Sequence, residues 1–404
     1  MNIFKRSIGY FSISSAMLFL SQQSAAAGFQ LNAQSATGLG RAFAGDAIIA
    51  DNASVMSRNA AAMALLESPE ISFGATYIES SVDVPDATYT PISGDSVVTS
   101  AEDVGGSSII PNFYYVHPIE GTDWTVGASA YSNFGTDVSF DSNFMAPEFG
   151  GDTSLTSVNV GLSAAYRVND QLSLGAGLDV IHGSGEIYRG EGLLDVEADG
   201  EALSFNLGLA YEFDENNRIG LSYRFSPDLK ADGEVNMGGD TANSVDIPLP
   251  DMIEFSGYHR LQPQFALHYS LQYVRWSEFD ALTSEGLNSS IKEYKWQDAG
   301  HVSIGGTYYM NPQWQLRTGY MYDMAPTDEL TSLSIPDSDR HWISAGVSYL
   351  PTENTTIDLG MSYIIGEDGN IDETMEIIDG FPAHMRATTE VSAATVGLQY
   401  SYKF

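Results

Sequence analysis

From Ile71 onward, apolar and polar residues alternate with a period of two, in stretches of roughly ten residues that each close on a turn-forming cluster. The final stretch shows the pattern most plainly. Val396, Leu398, Tyr400, Tyr402 and Phe404 share one face, and Thr395, Gly397, Gln399, Ser401 and Lys403 share the other, because successive strand side chains point to opposite sides. Phe265, Leu267, Tyr269, Leu271 and Tyr273 repeat it, as do Ile357, Leu359, Met361, Tyr363 and Ile365. The spacing predicts strands near 71–82, 109–117, 122–139, 153–167, 171–187, 201–213, 218–235, 251–260, 264–277, 297–310, 313–325, 340–350, 354–366 and 391–404.

The connections alternate in length. Val168-Asn169-Asp170, Asp214-Glu215-Asn216-Asn217, Gln262-Pro263, Asn311-Pro312 and Pro351-Thr352-Glu353 are short turns, and loops of roughly ten to twenty-five residues lie between them. Short turns at one end, long loops at the other and an even strand number describe an all-β fold, a 14-stranded antiparallel transmembrane β-barrel of the outer membrane. A secreted β-sandwich also alternates, but it packs its apolar faces together and carries no girdle of Tyr and Trp at its strand ends.

The segment before the strands has no such alternation and is rich in Ala, Gly, Ser and Asn. Barrels of about eight strands fill their interior with side chains and those of sixteen or more leave a channel, so fourteen strands call for something in the lumen. The Ala- and Gly-rich segment is the candidate. Ahead of it, Lys5 and Arg6, the apolar run from Ile8 to Leu20 and Ser24-Ala25-Ala26-Ala27 read as a secretory signal peptide. The organisation expected is therefore a signal peptide over 1–26, an N-terminal plug over 27–70 and a barrel over 71–404.

Composition narrows the function classes. Lys and Arg total 17 against 53 Asp and Glu, a formal net charge of −36, which excludes a nucleic-acid binder that relies on neutralising phosphates. Much of the acid falls in expected external loops such as Glu186 to Glu201 and Glu367 to Asp379. There is no cysteine, hence no disulfide, thiolate metal site or Cys nucleophile. Gly38-Leu39-Gly40 lacks the preceding strand and third glycine of a dinucleotide loop. Asp179 and His182, three apart on one strand, point to opposite faces and make no catalytic dyad. Asp195-Val196-Glu197-Ala198-Asp199-Gly200 begins like a calcium loop but has Asn206 at its twelfth position. No enzyme, cofactor or metal is expected.

Three separated runs then point to a known family. They are Ala27-Gly28-Phe29-Gln30-Leu31-Asn32, with Gly38-Leu39-Gly40-Arg41-Ala42 and Ser57-Arg58-Asn59-Ala60-Ala61; Leu249-Pro250-Asp251-Met252 through Ser256-Gly257-Tyr258; and Ile335-Pro336-Asp337-Ser338-Asp339-Arg340 running into Trp342. In this order they resemble the outer-membrane long-chain fatty acid transporter family (FadL-like), from the mature N-terminus to Phe404. The resemblance implies passive uptake of hydrophobic molecules through a hatch-plugged barrel with a lateral opening in its wall.

Further residues are carried over from the family. Its opening sits at a kink in the third strand, matched here by Ser132-Asn133-Phe134-Gly135; by sequence alone the same residues read equally well as a strand end with a turn. The family's hatch usually reads Asn-Pro-Ala, where this chain has Asn59-Ala60-Ala61, losing a residue that fixes φ and lacks a donor. Basic residues that meet the ligand carboxylate match Arg189 and Lys292, and Phe29 is placed at the ligand. The expected partners are fatty acids or other hydrophobic small molecules, outer-membrane lipid and lipopolysaccharide, and the barrel-assembly machinery through the C-terminal strand. Uptake of aromatic or alkane hydrocarbons is the alternative within this architecture, and an outer-membrane hydrolase or adhesin is the alternative outside it.

Overall fold

The structure is a computed structural model that describes residues 28–327, 331–378 and 381–404. The signal peptide expected over 1–26 lies outside the described residues. Fourteen antiparallel strands follow one another in order around the barrel. They are β1 (Glu70–Thr90), β2 (Ser107–Pro118), β3 in two pieces (Trp124–Tyr131 and Gly135–Ser139), β4 (Asp152–Arg167), β5 (Leu172–Arg189), β6 (Leu194–Asp214) and β7 in two pieces (Asn217–Phe225 and Leu229–Met237). After them come β8 in two pieces (Asp240–Ile247 and Met252–Gln262), β9 (Phe265–Val274), β10 (Ala299–Asn311), β11 (Trp314–Asp323), β12 (Arg340–Thr352), β13 in two pieces (Thr355–Gly366 and Gly369–Ile378) and β14 (Phe381–Lys403). Closure comes from β1 and β14, paired from Glu70↔Lys403 to Thr90↔His384. A closed barrel leaves no strand edge, which is what lipid demands of a spanning sheet.

Apolar side chains face outward over the membrane band: Leu203, Phe205, Leu207 and Leu221 are exposed, while Ser204, Asn206 and Ser222 are buried toward the lumen. Aromatic pairs ring the short-turn end, with Trp124 against Tyr166 at 4.9 Å, Trp314 against Tyr349 at 4.6 Å and Phe73 against Tyr400 at 5.4 Å between ring centroids. These are the interface anchors of a membrane barrel.

The acidic stretches expected as external loops are strands. Glu186 pairs with Glu197 and Arg189 with Leu194, and Gly369–Ile378 runs along β14 to Ile378↔Phe381. The reason is an exchange of polarity between the two faces. Along β6 the even-numbered positions face inward throughout, but above residue 202 in space they are Leu194, Val196 and Ala198, and the outward positions are Asp195, Glu197, Asp199 and Glu201. Below it the outward positions are Leu203, Phe205 and Leu207. The strand simply leaves lipid for water, and its outward face changes from apolar to acidic. The 218–235 strand is likewise corrected to two pieces, separated at Ser226-Pro227-Asp228, and β8 begins at Asp240 and breaks around Pro248 and Pro250. Proline cannot donate to a ladder, so both breaks fall where the sequence supplies one.

Candidate functional site

Residues 28–69 lie inside the barrel, almost wholly buried, with one short helix (Ala36–Leu39) and two 3₁₀ turns (Ala53–Ser57 and Ala60–Leu65). Each begins on a side-chain cap: Ser35 accepts from Gly38, Asn52 from Ser54 and Asn59 from Ala61. Small residues let this segment touch the wall backbone to backbone. A Cβ at Gly175 of β5 would sit 2.2 Å from the Ala61 nitrogen, and one at Gly319 of β11 would sit 2.1 Å from the Arg41 carbonyl oxygen. Asn59 fixes its own turn through Ala61 (3.0 Å) and reaches Ala47 O (2.7 Å) and Leu209 O (3.0 Å) through Nδ2. Asn59, Ala60 and Ala61 thus sit on the wall formed by β4 to β6.

Charge moors the segment as well. Arg41 holds Asp46 and Asp51, each at 2.8 Å, while Arg58 faces Asp46 at 3.7 Å and Glu254 of β8 at 3.5 Å. Arg317 of β11 reaches Asp51 at 3.2 Å. These side chains are nearly all buried, where removing one partner strands the other at a cost of about 3–5 kcal/mol.

The wall is broken where β3 divides. The inner piece of β3 pairs with β2 only as far as Phe113↔Ala130, and the outer piece pairs with β4 from Gly135↔Thr156 to Ser139↔Asp152. Between them, Phe29-Gln30-Leu31 of the N-terminal segment takes the place of the missing partner. Leu31 N donates to Asn133 O at 2.7 Å, Gly135 N donates to Phe29 O at 2.8 Å, and Gln30 lies opposite Phe134 as an antiparallel bridge. Ser132, Asn133, Phe134 and Gly135 are therefore an interruption of the strand, with the N-terminal segment stitched into it. A cavity of about 620 Å³ spans the interruption, lined by inward residues such as Leu31, Tyr131 and Phe134 and by outward ones such as Ile109, Val160 and Val180.

Phe29 is fully buried among aromatics of the loop between β9 and β10, 4.8 Å from Trp276 and Phe279 and 5.6 Å from Trp296 by ring centroids. Gly28 turns there with φ +61°, and a Cβ would strike the indole of Trp296 at 2.7 Å, so only glycine fits. Phe29, Ile187, Val196, Ile247, Phe279 and Ile335 close an apolar pocket down to about 40 Å³.

At the rim, Arg189 is buried and donates to Asp152 O (2.7 Å), Tyr188 O (2.7 Å) and Thr153 Oγ1. Thr153 also lines the apolar pocket. Lys292 pairs with Glu373. Arg189 and Lys292 come together in one respect, since Glu373 and Tyr294 contribute to the field at Arg189. Glu373 was not legible from sequence, where it reads as one more acid in a water-exposed loop. Its inward phase, shared with Ile371 on the outer piece of β13, is what sets it apart from the acids that face water.

The loop before β12 holds the start of this lumenal segment. Gly28 N donates to Asp337 Oδ2 at 2.7 Å, and Asp337 also pairs with Arg340. Burial pushes the Asp337 carboxyl up to about 6, against the opposing pull of Arg340 and the Gly28 amide. The Gly28 amide donates to the charged carboxylate and holds the pKa down, so that contact is strongest with Asp337 deprotonated and loses as pH falls through 6. Hydrogen exchange over residues 28–34, corrected for its intrinsic pH dependence, should therefore quicken severalfold between pH 7 and pH 5, and Asp337→Asn should flatten that response.

The family model described as "Outer membrane protein transport protein (OMPP1/FadL/TodX)" matches residues 17–404. The long-chain fatty acid transport protein of Escherichia coli O6:H1 is 35% identical over 396 residues, spanning 85% of this chain and 88% of its own. Outer membrane protein P1 of Haemophilus influenzae is 32% identical over 403 residues, spanning 86% and 87%. Among solved structures, a Pseudomonas aeruginosa FadL homologue superposes with a TM-score of 0.84 at 20% identity over 94% of this chain and 100% of its own. The Ralstonia pickettii toluene transporter TbuX superposes with a TM-score of 0.66 at 18% identity over 92% and 98%. Both likenesses show a shared fold.

Proposed function

The chain belongs to the OMPP1/FadL/TodX family of outer-membrane transport proteins, and from that premise we propose that it takes up long-chain fatty acids through the interruption in β3. It is a Gram-negative outer-membrane barrel that transports hydrophobic compounds. The observation that carries the finer reading is the joining of an apolar pocket, stopped by Phe29, to a wall cavity stitched shut by the same tripeptide. Withdrawal of Phe29-Gln30-Leu31 would empty the pocket and free the notch in one movement. In this reading residues 28–69 act as a hatch, with Asn59-Ala60-Ala61 as its seat on the wall.

Affinity for such a guest comes from its tail. Burying roughly fifteen methylenes contributes on the order of 12 kcal/mol, so release is the hard step and needs the pocket to change shape. Arg189 and Lys292 orient the carboxylate. Arg189→Ala should weaken oleate binding roughly ten- to hundredfold, the loss of a hydrogen bond to a charged group, and leave toluene uptake unchanged. Equal loss of both cargoes would remove the head-group role.

A second reading, uptake of aromatic hydrocarbons, draws support from Lys292 being already neutralised by Glu373. A wild type that binds toluene tightly and oleate no better would favour it. Lipopolysaccharide contact at the acidic outer strands and recognition of the C-terminal strand by the assembly machinery complete the proposal.

A further inference from the structure

We infer that Glu373 is an internal counterion occupying the place of the substrate head group, and that it sets how strongly the barrel prefers carboxylates to neutral hydrophobes. This deepens the reading of Arg189 and Lys292 as a head-group clamp and rests on it.

Glu373 lies on the outer piece of β13, 3% exposed, on the same face as buried Ile371 and across from buried Met385. An apolar residue would suit that face. A carboxylate there carries a heavy desolvation penalty unless it is fully paired. Among the described residues it is not: one oxygen accepts from Lys292 Nζ, and Oε2 is buried with no hydrogen-bond partner. The lumenal Glu254 is a useful contrast. Its Oε1 accepts from Ser256 and Ser270, each at 3.0 Å, and its Oε2 faces Arg58 at 3.5 Å. Glu254 is held from both sides, as a structural carboxylate should be, and Glu373 from one. A half-satisfied buried group is the kind that calls for a functional explanation.

The arrangement also accounts for the cations. Lys292 is neutralised by Glu373, and Arg189 spends three donor contacts on Asp152 O, Tyr188 O and Thr153 Oγ1 and, among the described residues, makes no ion pair. A guanidinium has five donors, so Nε–H and one Nη2–H are left for a guest. An incoming carboxylate can take those and then gains Lys292 only by displacing Glu373, an exchange of one anion for another. A neutral hydrophobe needs no exchange. Removing the negative charge at 373 should therefore help carboxylates alone.

The test measures oleate and toluene binding to detergent-folded protein by tryptophan quenching, in wild type, Glu373→Gln, Lys292→Gln/Glu373→Gln and Arg189→Ala. Expected is oleate binding about tenfold tighter in Glu373→Gln, or about 1.4 kcal/mol, with toluene unchanged. The double variant should return oleate toward the wild-type value, because Arg189 is then again the one member of the clamp left to meet a carboxylate. Glu373→Leu, suited to the apolar face, serves if the Gln variant fails to fold. A parallel change in oleate and toluene would make Glu373 structural and overturn the inference. If Arg189→Ala weakens oleate but Glu373→Gln leaves it unmoved, the counterion falls alone. If Arg189→Ala has no effect, the clamp falls and takes the counterion with it.

Discussion

Valine at both Gly175 and Gly319 is expected to unseat the plug and leave a conducting pore. The two glycines face the lumen from β5 and β11, and at both of them the backbone of the N-terminal segment lies directly against the wall. A Cβ at Gly175 would lie 2.2 Å from Ala61 N and 2.5 Å from Ala60 C, and a Cβ at Gly319 would lie 2.1 Å and 2.2 Å from Arg41 O and C. The atoms in the way are backbone, which cannot swing aside as a side chain can. Overpacking a well-filled interior costs about 1–3 kcal/mol per site, and any retreat of Arg41 also weakens its ion pairs with Asp46 and Asp51. The barrel itself should tolerate the change, because valine is a better strand residue than glycine. Planar-bilayer recordings of the folded double variant should show open-channel current absent from wild type, and cells should admit hydrophilic solutes that wild type excludes. A folded double variant that stays electrically silent would mean the plug is not held by close backbone contact.

The barrel was legible because lipid and lumen impose opposite demands on alternate residues, and a period of two survives in one chain without help from neighbours. Val396 to Phe404 needs no other strand to be read. What the period could not show was where strands end, since Leu194, Val196 and Ala198 keep the same inward phase as Ser204 and Asn206 with the polarity reversed. The alternation continues through the membrane boundary while its meaning changes. The interruption at Ser132 to Gly135 reads in sequence as either a break or a turn, and only the pairing of Leu31 with Asn133 decides between them. Lys292 and Glu373 lie eighty-one positions apart, and local pattern holds no record of such a pair. Local alternation reports the solvent around a residue, and its partner across the lumen leaves no trace there.

A disulfide between positions 30 and 134 should arrest uptake. The bonds Leu31 N to Asn133 O and Gly135 N to Phe29 O flank Gln30 and Phe134, which makes these two a non-hydrogen-bonded antiparallel pair. Such pairs bring their Cα atoms to about 4.5 Å, within the span a disulfide closes. The chain has no cysteine of its own, so Gln30→Cys with Phe134→Cys introduces one unambiguous cross-link. Oxidised protein would keep Phe29 between Trp276 and Phe279 and keep the wall notch filled, because the tripeptide could no longer leave either. Uptake of labelled oleate by cells carrying the oxidised variant should fall to the background of a strain lacking the protein and recover on reduction, with the reduced form as its own control for the lost Phe134 ring. Equal uptake in both redox states would show that Phe29-Gln30-Leu31 does not move, and the cargo would then have to pass the barrel by a route that leaves the notch closed.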